Sequence, residues 1–546
     1  MYTSRSTFIF ALLTINLFAS LPRTSTLVTG PAVTSRTQPV EVAILVFGRT
    51  TQVRSLASLS YAEPAIKLAV DKVSEIYNGT FKFIYTLTTA HSCLVTANMS
   101  AEILAEWYYR LWAPGRVMVL VTPGDPTSEC WTDAQTVYRL AASWNTLIMN
   151  TGGGVDLVGK RSLLPTTFST ASANMPSFAA VALNLIKLYK WSSVFIVHDV
   201  SANVALANKA AATQVFTALQ TGAYGRVDSV LRNINSSGFV DYHALLTDFR
   251  SISRILFYYG RPVQLRELLI TASSLKMTNG DFVYIGLQSM KAPSLYGNFT
   301  WRYGEDDDEI VQAAYRSVLM IEPLSATIPD GKKSANQYLL DQLELAFPRE
   351  SALRHNLIYT NAKDLLPILL GSYTTILMIC QVLLETWQDG NDLTNGSYLA
   401  TRLLNRLFTT EVGDVFINGD GIRVENLVVS YTAAQSELRE PFLVQYGVSQ
   451  TTLKQVGAMI NWPGGGWPPP SVPLCGFRNE KLFCFASSSA TTGIIVGMAL
   501  VALSGVMVIL IAFRKLQSRK SQHWWIITHT LEPQRAVSSF HSYMHA

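Results

Sequence analysis

Charge is scarce in this chain. Asp, Glu, Lys and Arg make up 15% of its 546 residues, and the formal net charge is +5. Hydrophobic residues reach 49%, the balance of a globular protein and not of a disordered one. Much of the net charge sits at the end, where Arg514, Lys515, Arg519, Lys520 and Arg535 stand against Glu532. The remainder is close to neutral and offers no electrostatic footprint for nucleic acid. Catalytic signatures are missing too. There is no His-Glu-x-x-His and no Gly-x-Ser-x-Gly, and Gly331-Lys332-Lys333-Ser334 lacks the upstream glycine of a phosphate loop. The eight histidines are scattered singly. The acidic run Glu305–Glu309 lacks the glycine and terminal Glu of a calcium loop, so it reads as a helix start favoured by the dipole. Asp414 and Asp420 read as turn residues. No catalytic residue, metal or cofactor is expected.

What is present is a long apolar run. Residues 491–513 read TTGIIVGMALVALSGVMVILIAF and carry no charge. A helix needs roughly 20 apolar residues to cross the hydrocarbon core of a bilayer. Arg514 and Lys515 follow at once, and basic residues just past a span mark the cytoplasmic side. The N-terminus has a secretory pattern: Arg5, an apolar stretch from Phe8 to Ala19, then small residues and Pro22. The expected order is a signal peptide over 1–26, a linker over 27–39, an exterior, one crossing over 491–513 and a short cytoplasmic tail over 514–546. That is a single-pass type I protein of the plasma membrane with its N-terminus outside. Sequons at Asn78, Asn98, Asn235, Asn298 and Asn395 all fall on the expected exterior as glycosylation candidates.

Cysteine is equally sparse. In an oxidising compartment, Cys475 and Cys484 would close a short loop before the apolar run, and Cys93 and Cys130 form the other natural pair. Cys380 lies in the apolar helical pattern LGSYTTILMICQVLLETW and reads as a buried free thiol.

From Val40 the chain alternates strand and helix. Val40–Phe47, Phe81–Leu87, Val117–Val121 and Leu147–Met149 read as strands, with helical faces between them. The pattern restarts with a helix at Pro176–Tyr189 and runs to a strand at Phe282–Ile285. Two such runs predict an α/β fold of two lobes, each a mostly parallel sheet with helices on both faces. Ile310–Met320, Ala335–Phe347 and Asp364–Trp387 read as further helices. The run GDVFINGDGIRVENLVVSYT reads as a hairpin turning at Asn418-Gly419-Asp420-Gly421.

Four passages carry a family likeness. They are SECWTDAQTVYRLAASWNTLIMNTGG, WSSVFIVHD, LFYYGRPVQLRELLITASSLKMTNGDFVYIGL and, most specific, NWPGGGWPPPSVPLCGFRNEKLFC before the apolar run. With them the chain resembles the ectodomains of natriuretic peptide receptors and receptor guanylyl cyclases, which have a type I periplasmic-binding-protein-like fold. The resemblance implies an extracellular ligand-binding domain over 40–462, with three crossings between lobes near Phe168, Leu287 and Val415. It places 40–168 and 301–413 in the first lobe, and 169–290 and 414–462 in the second. A Pro-rich, disulfide-bearing juxtamembrane collar would follow over 463–490. It supports the Cys93–Cys130 bridge. Some members hold a chloride beside that bridge with the amides of a Gly-Cys step and a hydroxyl, for which Thr86, Thr88 or Thr89 would serve. Here Glu129 stands at the glycine position, and its carboxylate would repel an anion.

In this reading the ligand cleft lies at the loop ends: Phe47, Gly48, Gly152, Gly153, Gly154, Ser169 and Thr170. The glycines offer less hydrogen bonding than an amino-acid binder needs, which favours a peptide ligand. Gly493 and Gly497 form a Gly-x-x-x-Gly face that suits a homodimer. The resemblance implies a dimeric receptor whose tail is short like that of clearance-type members. The alternatives are a shortened receptor cyclase and a small-molecule sensor of the same fold.

Overall fold

Strand β1 (Val40–Arg49) shows how the sequence makes layers. Side chains alternate across a strand, so a strand buried on both faces is apolar throughout. Val42, Ile44 and Val46 enter one core, while Ala43, Leu45 and Phe47 enter another on the opposite face. The computed structural model describes residues 38–49, 59–90, 93–122, 131–152, 161–171, 175–201, 205–222, 224–289, 297–324, 334–346, 367–434, 436–449, 452–457, 459–481 and 489–521. The expected signal peptide, nearly all of the linker and most of the tail lie outside them. The chain divides into two units, Met1–Val472 and Pro473–Ala546.

In the first unit the chain continues through α1 (Leu59–Ile76), β2 (Phe81–Ala90), α2 (Cys93–Leu111), β3 (Val117–Thr122), α3 (Trp131–Ser143), β4 (Leu147–Asn150) and β5 (Thr167–Ser169). These strands form one parallel sheet in the order β2-β1-β3-β4-β5. The chain then leaves for α4 (Met175–Leu188), β6 (Ser193–Asp199), α5 (Ala205–Gln220), β7 (Asp228–Ile234), α6 (Tyr242–Ile252), β8 (Ile255–Tyr259), α7 (Pro262–Ser274), β9 (Val283–Leu287), α8 (Asp308–Tyr315) and β10 (Val318–Pro323). It returns to the first core with α9 (Ala335–Ala346), α10 (Pro367–Gln388), α11 (Gly396–Thr401), β11 (Arg406–Thr410), β12 (Gly413–Ile417) and β13 (Arg423–Val424). Strands β14 (Leu427–Thr432), β15 (Arg439–Gln445) and β16 (Lys454–Gln455) complete the second sheet, ordered β16-β15-β14-β10-β9-β8-β6-β7. Strands β10, β9, β8, β6 and β7 run parallel, and the last three are antiparallel additions. This is the α/β architecture expected, with parallel-sheet lobes.

The lobe boundaries differ from expectation. Residues 301–323 belong to the second lobe, not the first: Trp301, Val311, Tyr315, Val318 and Met320 pack in its core. Val318–Met320 is not the end of a helix. Helix α8 stops at Tyr315, and the chain turns through Arg316 and Ser317 into β10. Four consecutive apolar residues, Val318 to Ile321, suit a strand buried on both faces as well as a helix end, and only sheet pairing decides. The return crossing also moves. Val415, Ile417 and β13 stay with the first lobe, so the chain crosses after Val424 and not near Val415. The expected hairpin is therefore split. Strands β12 and β13 pair across Asn418–Gly421, while β14 joins the other sheet.

In the second unit, Cys475 is disulfide-bonded, and its expected partner Cys484 lies outside the described residues. Gly476 turns at φ +78°, where its amide donates to the Pro473 carbonyl at 2.9 Å. Helix α12 (Ser489–Ser521) follows. Two described helices are long and apolar enough to cross a membrane by length and composition. Ile368–Gln388 is 78% buried and is a core helix of the first lobe, whereas Gly493–Arg519 is fully exposed.

Candidate functional site

In an open parallel sheet, ligands bind beyond the carboxyl ends of the strands, at the point where strand order reverses. In the first sheet that point lies between β1 and β3, at Phe47-Gly48 and Thr122. In the second it lies between β6 and β8, at Asp199 and Gly260. Phe47 and Gly48 do lie there, both buried. Among the described residues, the expected cleft positions Ser169 and Thr170 do not form an open surface. Thr170 is wholly buried, and Ser169 is 7% exposed. The Thr170 amide donates to the Asn150 carbonyl at 2.8 Å, and its hydroxyl pairs with that of Thr375 on α10. Ser372 donates to the hydroxyl of Thr151 at 2.9 Å. Helix α10 comes this close because Gly371 faces the Thr170 carbonyl; a Cβ there would lie 2.9 Å from that oxygen. Gly152 is half-buried, its amide held by the Asn150 side chain at 3.0 Å. Gly153 and Gly154 lie outside the described residues.

Ser169 instead marks the crossing between lobes. Its amide donates to the Gly421 carbonyl at 2.9 Å, and it bridges in parallel to Ile422. The other crossings are tied alongside, with the Leu324 amide donating to the Asn426 carbonyl at 2.9 Å. Beside them Arg439 from β15 grips Glu322 from β10 at 2.7 Å, and also reaches Gln288 and the Phe299 carbonyl. Ser430 donates to the same carboxylate at 2.7 Å.

At the second switch point, Asp199 is fully buried. Burial alone would raise its pKa. The Ser236 hydroxyl, donating at 2.6 Å, and the amides of Ser201 and Ser236 outweigh burial and hold the carboxyl below the usual aspartate range. Gly260 turns tightly beside it; a Cβ would sit 2.5 Å from the Tyr258 hydroxyl, which donates to Arg261. Asp199, Ser236, Glu322 and Arg439 were not expected as site residues. The ending of WSSVFIVHD in a carboxylate at a strand terminus was the available signal for the first.

A second constellation sits at the opposite, amino-terminal edge of the second sheet. The passage NWPGGGWPPPS docks there. The Ser471 hydroxyl accepts from the amides of Ser192 at 2.9 Å and Ser193 at 3.3 Å, and its carbonyl accepts from the Arg254 amide at 2.9 Å. Trp191 donates to the Pro469 carbonyl at 3.1 Å, and Trp462 to the Gly280 carbonyl at 2.8 Å. The Trp467 ring lies 4.7 Å from Trp462, 5.1 Å from Tyr189 and 5.9 Å from Phe442. Such rings gain from both burial and edge contacts.

Among the other expected residues, Asn78, Asn235 and Asn298 are exposed. Asn395 is half-buried and caps α11, accepting from the Tyr398 amide at 3.0 Å. Asn98 lies within α2, and Cys93 begins it. Cys130 and Glu129 lie outside the described residues. Gly493 and Gly497 lie on α12 with open space beside both. Cys380 is a buried free thiol whose pKa burial pushes up.

A family profile described as receptor family ligand binding region matches residues 61–432. Atrial natriuretic peptide receptor 3 of Bos taurus is 22% identical over 402 residues, covering 71% of this chain and 69% of that protein. Receptor-type guanylate cyclase gcy-28 of Caenorhabditis elegans is 25% identical over 238 residues, 42% of this chain and 17% of that one. Guanylate cyclase 2G of Mus musculus is 21% identical over 509 residues, 87% of this chain and 42% of its own. The chain spans less than half the length of either cyclase.

Proposed function

The chain belongs to the receptor family ligand-binding region family, and from that membership we propose a single-pass cell-surface receptor for an extracellular peptide. The family match carries this reading, because residues 61–432 take in most strands of both sheets and all three crossings. The region so matched is a ligand-binding one and not a catalytic one. Helix α12 supports the membrane part of the reading. Gly493–Arg519 is exposed, apolar and 27 residues long, enough to span a bilayer. The basic residues from Arg514 orient it with the two lobes outside. Gly493 and Gly497 leave an open face where a second copy would approach, giving a homodimer.

The ligand is taken between or beside the lobes, and they shift about the three tied crossings. The docked passage from Trp462 to Ser471 carries that shift toward the collar and helix. Bridges Cys93–Cys130 and Cys475–Cys484 and glycans at the five sequons belong to the same proposal. The test is a radiolabelled-peptide screen on the full chain at the cell surface, with protease added outside. Saturable peptide binding that protease abolishes is expected. No peptide bound, or lobes sheltered from external protease, would refute it.

The similarity to two guanylate cyclases favours a second reading, in which this region serves a receptor cyclase. Sequencing the transcript beyond the Ala546 codon separates the two.

A further inference from the structure

Beside the second switch point a cavity of about 480 Å³ opens between the β7–α6 loop and α7. That falls within the range of roughly 300–1,000 Å³ typical of small-ligand sites. Its apolar wall is Phe239, Val240 and Ile270. Phe239 is 95% exposed, an unusual position for a bare aromatic ring. Its polar wall is Tyr242, Gln264 and Glu267. Tyr242 is only 8% exposed and its hydroxyl has the Glu267 carboxylate beside it, while the buried Gln264 carbonyl oxygen has no hydrogen-bond partner. Buried polar atoms without partners are costly and rare, so the Gln264 oxygen in the wall of this cavity calls for an occupant. The charge around them has one sign. Burial raises the Tyr242 pKa, and the next contributions come from Glu267 and Asp199, both acidic. Among the described residues no basic side chain pairs with Glu267. The wall thus offers a carboxylate, a carbonyl and a hydroxyl, which suits a ligand group rich in donors and positively charged.

We propose that this cavity receives one basic side chain of a peptide, its stem against Phe239, Val240 and Ile270 and its cationic head at Glu267, Gln264 and Tyr242. The inference rests on the receptor reading only in taking the occupant to be part of a peptide. The probes are acetyl-Leu-Arg-Leu-amide and its neutral twin with citrulline for arginine, titrated calorimetrically against the full chain in detergent micelles. A charge-assisted hydrogen bond makes the arginine peptide bind about tenfold more tightly than the citrulline peptide. Glu267 is exposed, so Glu267→Gln folds, and it is expected to erase the difference; Glu75→Gln, on the other lobe, retains it. Equal binding of the two peptides, or discrimination that survives Glu267→Gln, overturns the proposal. Discrimination through Glu267 in a chain that captures nothing in the peptide screen upholds the cavity and overturns the receptor reading. Peptide capture without such discrimination overturns the cavity alone.

Discussion

Gly280→Ala tests whether the passage after β16 is anchored to the second lobe. Gly280 has φ +97°, a backbone conformation that L side chains rarely adopt, and it lies directly under Pro463. A Cβ would sit 1.8 Å from the Pro463 carbonyl oxygen and 2.5 Å from its carbon. Carbon–oxygen contacts settle near 3.3–3.6 Å, so the passage must retreat by about 1.5 Å. That retreat breaks the Trp462–Gly280 hydrogen bond, a net loss of about 1 kcal/mol. The positive φ adds about 1–2 kcal/mol for alanine. Trp462 is 3% exposed, and full burial of an aromatic ring, about 150–250 Å², stabilises by about 4–6 kcal/mol at 25 cal/mol per Å². Losing part of that burial brings the local cost to about 3–5 kcal/mol, two to three and a half decades in an opening equilibrium. Hydrogen exchange read by mass spectrometry over residues 459–471 is expected to speed up by about that factor. Gly238→Ala is the control, because nothing lies within 4 Å of its added Cβ. A folded Gly280→Ala variant whose Trp462 peptides exchange at the original rate would refute the anchoring.

Gly371→Ala pushes α10 off the Thr170 carbonyl; overpacking of this kind costs about 1–3 kcal/mol, read as a lower Tm of the full chain. Arg439→Leu leaves Glu322 buried without its cation, and about 3–5 kcal/mol of urea stability is expected to go; an unchanged midpoint would show that the clasp is not needed. Asp199 has a depressed pKa, so its contribution is present above the ordinary aspartate value near 3.9 and is lost as pH falls through the lower folded value. Asp199→Asn is therefore expected to lower stability at neutral pH and to flatten the acid limb of a stability–pH profile, followed by circular dichroism.

The βα alternation was legible because each strand is a short apolar run between helices of clear periodicity. What escaped the sequence was membership, that is, which sheet a strand joins. Val318–Met320 has the same composition whether it ends a helix or pairs with Tyr284–Gly286, and pairing is a long-range fact. The crossings shifted for the same reason, since the Asn418–Gly421 turn is visible in sequence but β14's departure to another sheet is not. Two of the expected cleft residues have a setting that the sequence does not announce. Ser169 and Thr170 stand at a strand end, as ligand groups would, yet Ser169 is tied to Gly421 and α10 brings Gly371 and Thr375 against Thr170. A run of small residues in an apolar helix gives no sign of which strand ends it will seal.

The second sheet carries a load at each edge, and this decides how a lobe movement could leave the molecule. At the carboxyl edge it holds the crossing ties, at Leu324–Asn426, and the Arg439 clasp. At the amino edge it holds the passage from Trp462 to Ser471. Between them run strands buried on both faces, such as Ser193–Asp199, about 23 Å long at 3.3 Å per residue. Close-packed cores do not absorb displacement gradually, so a shift at one edge reaches the other as motion of the whole lobe. Every partner of the docked passage described here, from Tyr189 to Phe442, belongs to the second lobe. The docked passage therefore moves with that lobe, to which the first lobe is joined through the three crossings. In the proposed receptor, a ligand that turns one lobe against the other moves the passage from Trp462 to Ser471 with the second lobe. Cutting the crossings' hydrogen bonds should weaken the response without weakening the docking, whereas Gly280→Ala should weaken both.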